Sequence, residues 1–129
     1  MKVGPSTLYR PNLGLLTDLY QLTMAQGYWK MGLADRDACF HLTFRRCPFR
    51  GGYAVAAGLA DAVDLLATLH FEDDDVTYLA GLQGNDGQLL FDPEFLAWLR
   101  VQRFTADLDA MPEGTPVFPH EPLLRVTGP

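Results

Sequence analysis

Cysteine is scarce in this chain: 129 residues hold two, Cys39 and Cys47, in no Cys-x-x-Cys pattern. That makes neither a disulfide framework nor a thiolate metal site. Histidine is as sparse, and His41, His70 and His120 are too scattered for a zinc motif. Basic residues are outnumbered ten to sixteen, giving a net charge of −6. A broad nucleic-acid face or a polybasic membrane patch is thereby excluded, but a small local anion site is not. The longest apolar stretch, Tyr53 to Phe71, is interrupted by Asp61 and Asp64. Each acid costs about 2.5–3.5 kcal/mol near a bilayer centre. The first ten residues contain no apolar run of signal-peptide length. Repeats and low-complexity segments are also missing. The expectation is a cytoplasmic chain with no metal, nucleic-acid or membrane partner.

What is present is 48% hydrophobic and 20% charged, the balance of a folded domain and not of a disordered tail. The length suits one domain with its own core. Residues 1–14, with Pro5, Pro11 and Gly14, read as an irregular lead-in. A helix is expected from about Asp18 to Met31, with Thr17 as N-cap and Gly32 as its stop. Residues 38–46 alternate, Phe40, Leu42 and Phe44 against Cys39, His41, Thr43 and Arg45, which predicts a half-buried strand. Pro48, Gly51 and Gly52 then form a loop, and Tyr53–Ala57 reads as a short strand. Further helices are expected over Leu59–Leu69, over Asp73–Leu82, and after Asp92, with Pro93 in the first position. Gln83–Gln88 is a turn. Strand-like pieces follow at Phe104–Asp109, Pro116–Phe118 and Leu123–Thr127. This order of helix, strand, helices and strands gives an α+β fold. The last strand has no closing element after it, so the expectation is a piece of a longer protein or a module completed by a partner.

The first helix has two apolar faces. At 100° per residue, Leu15, Leu19, Leu22 and Trp29 fall within about 40° of one direction, the core stripe, with Gln26 awkwardly beside them. Leu16, Tyr20, Met24, Gly27 and Tyr28 fall on the far side. A helix apolar nearly all round is covered on both sides. Either the other helices suffice, or Tyr20 and its neighbours meet another subunit or further chain.

The segment Phe44-Arg45-Arg46-Cys47-Pro48-Phe49-Arg50-Gly51-Gly52 gathers three of the ten basic residues. Guanidiniums at a strand end beside a glycine loop can hold a phosphate bidentately; a solvated strand end is the plainer reading. By strand alternation Arg45 shares the His41 face, whereas Arg46 follows Phe44 unless the chain twists at Pro48. Glu72-Asp73-Asp74-Asp75 reads as an acidic helix start, not a magnesium site. Asp107 and Asp109 alternate on one strand face as a solvated pair or as a carboxylate pair for acid/base work. Phe91, Phe95 and Trp98 belong to the core.

Two of these segments, Leu15-Leu16-Thr17-Asp18-Leu19-Tyr20-Gln21-Leu22-Thr23-Met24-Ala25 and Phe44-Arg45-Arg46-Cys47-Pro48-Phe49, resemble the start of the nicotinate phosphoribosyltransferase family. Tyr53–Leu59, Met111-Pro112-Glu113-Gly114-Thr115-Pro116-Val117-Phe118-Pro119 and Glu121-Pro122-Leu123-Leu124 fit as well, so the similarity covers about residues 12–129 in one order; His120 departs from a common glycine. The resemblance implies a type II phosphoribosyltransferase, with an N-terminal α+β domain (here 15–129) before an α/β barrel that this chain does not contain. It implies formation of nicotinate mononucleotide and pyrophosphate from nicotinate and phosphoribosyl pyrophosphate, driven by ATP hydrolysis, on the way to NAD. Such enzymes are commonly homodimers whose first helix faces the partner's barrel.

By that likeness Tyr20 stacks on the pyridine ring and Asp18 orients groups beside it. Arg45 or Arg46 reaches phosphate. The catalytic histidine and the main substrate ligands belong to the barrel, so His41, His70 and His120 receive no catalytic role. These 129 residues alone are expected to be inactive and to bind no cofactor, the full enzyme using ATP and Mg. The partner is a second copy or a separate barrel segment. The other reading is a non-catalytic binding or dimerisation module derived from the same domain.

Overall fold

The structure, a computed structural model, describes residues 13–129. The lead-in expected over residues 1–14 therefore lies outside the described residues, save Leu13 and Gly14. The elements in chain order are α1 (Leu19–Lys30), β1 (Ala38–Leu42), β2 (Ala54–Val55), α2 (Leu59–Thr68), α3 (Asp73–Ala80), α4 (Pro93–Val101), β3 (Asp107–Ala110), β4 (Pro116–Val117) and β5 (Leu124–Gly128). This mixture is the α+β class read from the sequence. Among the described residues no helix is long and apolar enough to cross a membrane. The contacts gather into two units. One comprises the described residues through Asp35 with Leu65–Phe104, the other Arg36–Asp64 with Thr105–Pro129.

The first unit is helical, and its core is Leu22, Leu79, Phe91, Phe95, Leu96 and Leu99. Asp92 holds the N-cap position of α4 and Pro93 its first turn, where a missing N–H has no consequence. Phe95 is fully buried. Its ring stacks on Phe91 at 6.0 Å and on Trp98 at 5.7 Å, and meets Trp29 tilted at 5.9 Å. Gln26, which looked misplaced on the core side, is satisfied there. Its Nε2 donates to Leu90 O at 3.0 Å, and its Oε1 accepts from Asp92 N–H at 2.6 Å. Lys30 adds an ion pair to the Asp92 carboxylate at 2.8 Å. The acidic run is a helix start: Glu72 and Asp75 form a capping box, with Glu72 N–H donating to Asp75 Oδ2 at 3.0 Å. Arg100 pairs with Asp73 at 2.7 Å.

Two details of α1 differ from the sequence reading. Its N-cap is Asp18, not Thr17, in a capping box with Gln21, while the Thr17 hydroxyl donates to the same Gln21 side-chain oxygen. Leu19, assigned to the core stripe, is half exposed. It is the first helical residue, and its Cα–Cβ bond tilts back past the helix start. Leu15 packs against the core from ahead of the helix, whereas Leu22 and Trp29 do so from within it. Gly32 ends α1 as expected, at φ +69. Leu33 N–H reaches Tyr28 O, and Gly32 N–H reaches Trp29 O, both at 3.0 Å, the paired bonds of a Schellman motif.

In the second unit β5 is the central strand of an antiparallel sheet in the order β1-β5-β3. The register places His41 and Asp109 on either side of Arg125, and Phe40 and Leu108 on either side of Val126. Alternation therefore puts Phe40, Leu42, Leu108, Leu124 and Val126 on one face. Cys39, His41, Asp107, Asp109, Arg125 and Thr127 lie on the other. The two faces of β1 match the sequence pattern, but the strand is not half-buried: every residue of β1 is exposed, Phe40 by 71%. It is also shorter than the pattern, stopping at Leu42. Beyond it the ladder gives way to single ties, Leu123 N–H to Leu42 O and His120 N–H to Phe44 O, both 2.8 Å.

Asp109 Oδ2 accepts from Arg125 Nε at 3.0 Å and Nη2 at 2.7 Å. That hydrogen bond, and then the carboxylate's charge, raise the Arg125 pKa above its ordinary value. The Asp107/Asp109 acid/base pair therefore gives way to a cross-strand ion pair.

The second sheet of this unit pairs Ala54 with Val117 and Val55 with Pro116, and Val117 is its buried residue. Here Glu113 reaches 55 residues back to cap α2. Its Oε1 accepts from Gly58 N–H at 2.9 Å and Leu59 N–H at 2.8 Å. A carboxylate at this end meets unpaired donors and the positive end of the helix dipole. Glu113→Ala is expected to lower unfolding free energy by about 1–2 kcal/mol, as other cap losses do. A urea midpoint equal to the parent's, at the same slope, would show the cap to be idle.

Candidate functional site

The implied site residues fall into two groups, one in each unit. In the first unit, Asp18 and Tyr20 come together at the start of α1. Asp18 is engaged in capping, its N–H donating to Gln21 Oε1 at 3.1 Å. It therefore orders the first turn that carries Tyr20. Tyr20 is 59% exposed, and its carbonyl accepts from the Thr23 hydroxyl at 2.9 Å. Met24 and Tyr28, each four residues further on, are exposed as well. This spacing makes one ridge along the helix. The far face read from angles is thus the solvent face, and a flat ring stands at its head.

In the second unit, Arg45 and Arg46 sit in a bend after β1, not in the strand. Face alternation consequently does not separate them. Both are exposed, as is Arg50. Among the described residues no carboxylate ion-pairs with any of the three. Three uncompensated guanidiniums within six positions suit a small oxyanion, which they can take bidentately. The base of this turn is fastened by the His120 N–H bond to Phe44 O. His120 adopts φ +70, the left-handed conformation for which glycine is the easiest residue.

Two contributors escaped the sequence reading. Phe49 is fully exposed at the tip of the basic turn, with φ 55 and ψ 24; a phenylalanine beside a proline carries no local signal for that. Glu113 was part of a matched motif, but its partners lie 54 and 55 residues away. Among the described residues no group of three or more His, Cys, Asp or Glu is placed to hold a metal ion. The Mg expected of the full enzyme is not assigned to any of these residues.

A family model described as the nicotinate phosphoribosyltransferase (NAPRTase) N-terminal domain matches residues 15–129. Nicotinate phosphoribosyltransferase pncB2 of Mycobacterium tuberculosis (strain H37Rv) is 46% identical over 115 residues, 89% of this chain and 23% of that protein. The human nicotinate phosphoribosyltransferase is 48% identical over 116 residues, 89% of this chain and 21% of that protein. The Bacillus subtilis protein of the same name is 43% identical over 118 residues, covering 92% and 23%. The crystal structure of human nicotinic acid phosphoribosyltransferase superposes with a TM-score of 0.75 at 48% identity, over 88% of this chain and 22% of that one. The chain thus spans between a fifth and a quarter of the length of these relatives.

Proposed function

Because this chain belongs to the nicotinate phosphoribosyltransferase family through its N-terminal domain, we propose that it supplies two surfaces to that reaction: an aromatic one on α1 for nicotinate and a basic one after β1 for phosphoribosyl pyrophosphate. The observation that carries this reading is the exposure of Tyr20 and of the unpaired arginines Arg45 and Arg46. A ring open to solvent at a fixed helix start is free to stack on an electron-poor pyridine. Unpaired guanidiniums keep their donors for a phosphate.

The rest of the site comes from the portion that the longer relatives have and these residues do not. That portion, the barrel, lies outside these 129 residues, and the first helix of one copy faces the barrel of its partner. There the catalytic histidine acts, and there ATP hydrolysis, with Mg, drives formation of nicotinate mononucleotide; the setting is the cytoplasm. The 129 residues by themselves do not turn substrate over. A radiolabelled-nicotinate assay on the isolated chain is expected to show no product, and turnover would refute this division of labour.

The phosphate surface has its own test. In the complete enzyme, Arg45→Ala or Arg46→Ala is expected to raise KM for phosphoribosyl pyrophosphate, with nicotinate KM little changed. Unaltered kinetics in both variants would remove the phosphate role.

A further inference from the structure

The turn after β1 contains more than its arginines. Phe49 projects fully into solvent. It takes φ 55 and ψ 24, and Arg50 beside it takes φ 56. Bulky residues rarely adopt this left-handed region, and each such residue is held at a cost in backbone energy. Glycine enters it freely, and Gly51 is the next residue, yet Gly51 has an ordinary φ of −71. The turn thus puts its two costly conformations on the two residues that have long side chains. Pro48 narrows the backbone ahead of Phe49, and Gly51 N–H closes behind it on Pro48 O at 3.0 Å. One short turn therefore carries an open aromatic ring between two exposed arginines in the chain, Arg46 and Arg50.

We propose that Phe49 stacks on a flat ring attached to the phosphates that this turn binds, so that the turn prefers a nucleotide to a bare pyrophosphate. The inference rests on the phosphate role given above to Arg45 and Arg46. The chemistry selects the ligand class. Unpaired cations call for an anion, and an exposed ring beside them accepts the π-face of a base. Three arginines on a chain of net charge −6 attract a small anion locally, whereas a polynucleotide needs a broad basic track.

ADP and pyrophosphate are the probes, because they share a diphosphate and differ by adenosine. Each is titrated calorimetrically into the 129-residue chain. The parent is expected to bind ADP more tightly than pyrophosphate. Phe49→Ala and Phe49→Gly, the latter relaxing the backbone, are expected to weaken ADP about 5- to 100-fold while leaving pyrophosphate within about twofold. Phe49→Tyr should retain the preference. The double change Arg45→Ala with Arg46→Ala should weaken both probes.

The outcomes separate the two readings. Equal loss of both probes in Phe49→Ala, or no loss of either, overturns the stacking role and leaves the phosphate role standing. A Phe49→Ala protein with altered sedimentation and unaltered affinities marks a protein contact instead, which also overturns it. Pyrophosphate binding indifferent to the double arginine change, or a parent that binds neither probe, overturns the phosphate role and this inference with it.

Discussion

Replacing Phe95 with alanine is expected to cost about 3–5 kcal/mol of stability, the largest effect in the molecule. Its ring is fully buried and touches three others, Trp29, Phe91 and Trp98. Removing it strips those contacts and leaves a space that the flanking helices fill only in part. A domain of this size holds about 5–15 kcal/mol in all, so the first unit would be close to unfolding at ambient temperature. Trp29 and Trp98 are the two tryptophans of the sequence, and both lie against the ring. Their fluorescence during urea unfolding therefore reads this core directly. The midpoint should fall steeply for Phe95→Ala and far less for Phe95→Leu. An unfolding free energy within about 0.5 kcal/mol of the parent's, the range of an ordinary surface change, would contradict the packing described.

Tyr20→Ala should have the opposite profile. The side chain is largely exposed, so the fold should keep its stability. In a complete enzyme, loss of the aromatic stack is expected to weaken nicotinate by about 1–3 kcal/mol, by analogy with aromatic–base stacking, which is about 5- to 150-fold in affinity. Tyr20→Phe retains the ring and should retain most of the binding. The affinity for phosphoribosyl pyrophosphate should move little. Unfolding of Tyr20→Ala at the parent's midpoint with undiminished nicotinate affinity would leave the ring without a role.

Much of this was legible from local pattern. Helix starts and stops follow short-range chemistry, so Pro93, Gly32 and the acids at the start of α3 placed their elements closely. The two faces of α1 follow from angular arithmetic, which put Tyr20, Met24 and Tyr28 together on what is the solvent side. Burial was another matter. Period-two alternation names the faces of β1, but whether anything covers Phe40 depends on distant chain. Gln26 looked like a polar intruder because its partners, Leu90 and Asp92, lie more than sixty residues away. Glu113 gave no sign of capping a helix that it meets only in the fold. The N-cap falls on Asp18 and not Thr17, two adjacent cap-type residues that both bond Gln21, and spacing alone does not rank them.

The candidate site divided along the same line. That Tyr20 stands opposite the core stripe follows from helix geometry, its exposure only from the fold, and its role and that of the arginines came through family likeness. Arg45 and Arg46 were assigned to opposite faces of a strand that ends before reaching them. Nothing local foretells a left-handed phenylalanine between Pro48 and Arg50.

The most direct test of the central claim is a chimera in which this chain replaces the matching N-terminal segment of the Bacillus subtilis relative, to which it is 43% identical. Product formation from labelled nicotinate and phosphoribosyl pyrophosphate is then measured for the parent chimera, for Tyr20→Ala and for Arg45→Ala with Arg46→Ala. The account predicts turnover in the parent, a raised nicotinate KM in the first variant and a raised phosphoribosyl pyrophosphate KM in the second. A folded chimera without activity, or one whose kinetics ignore both changes, would contradict it.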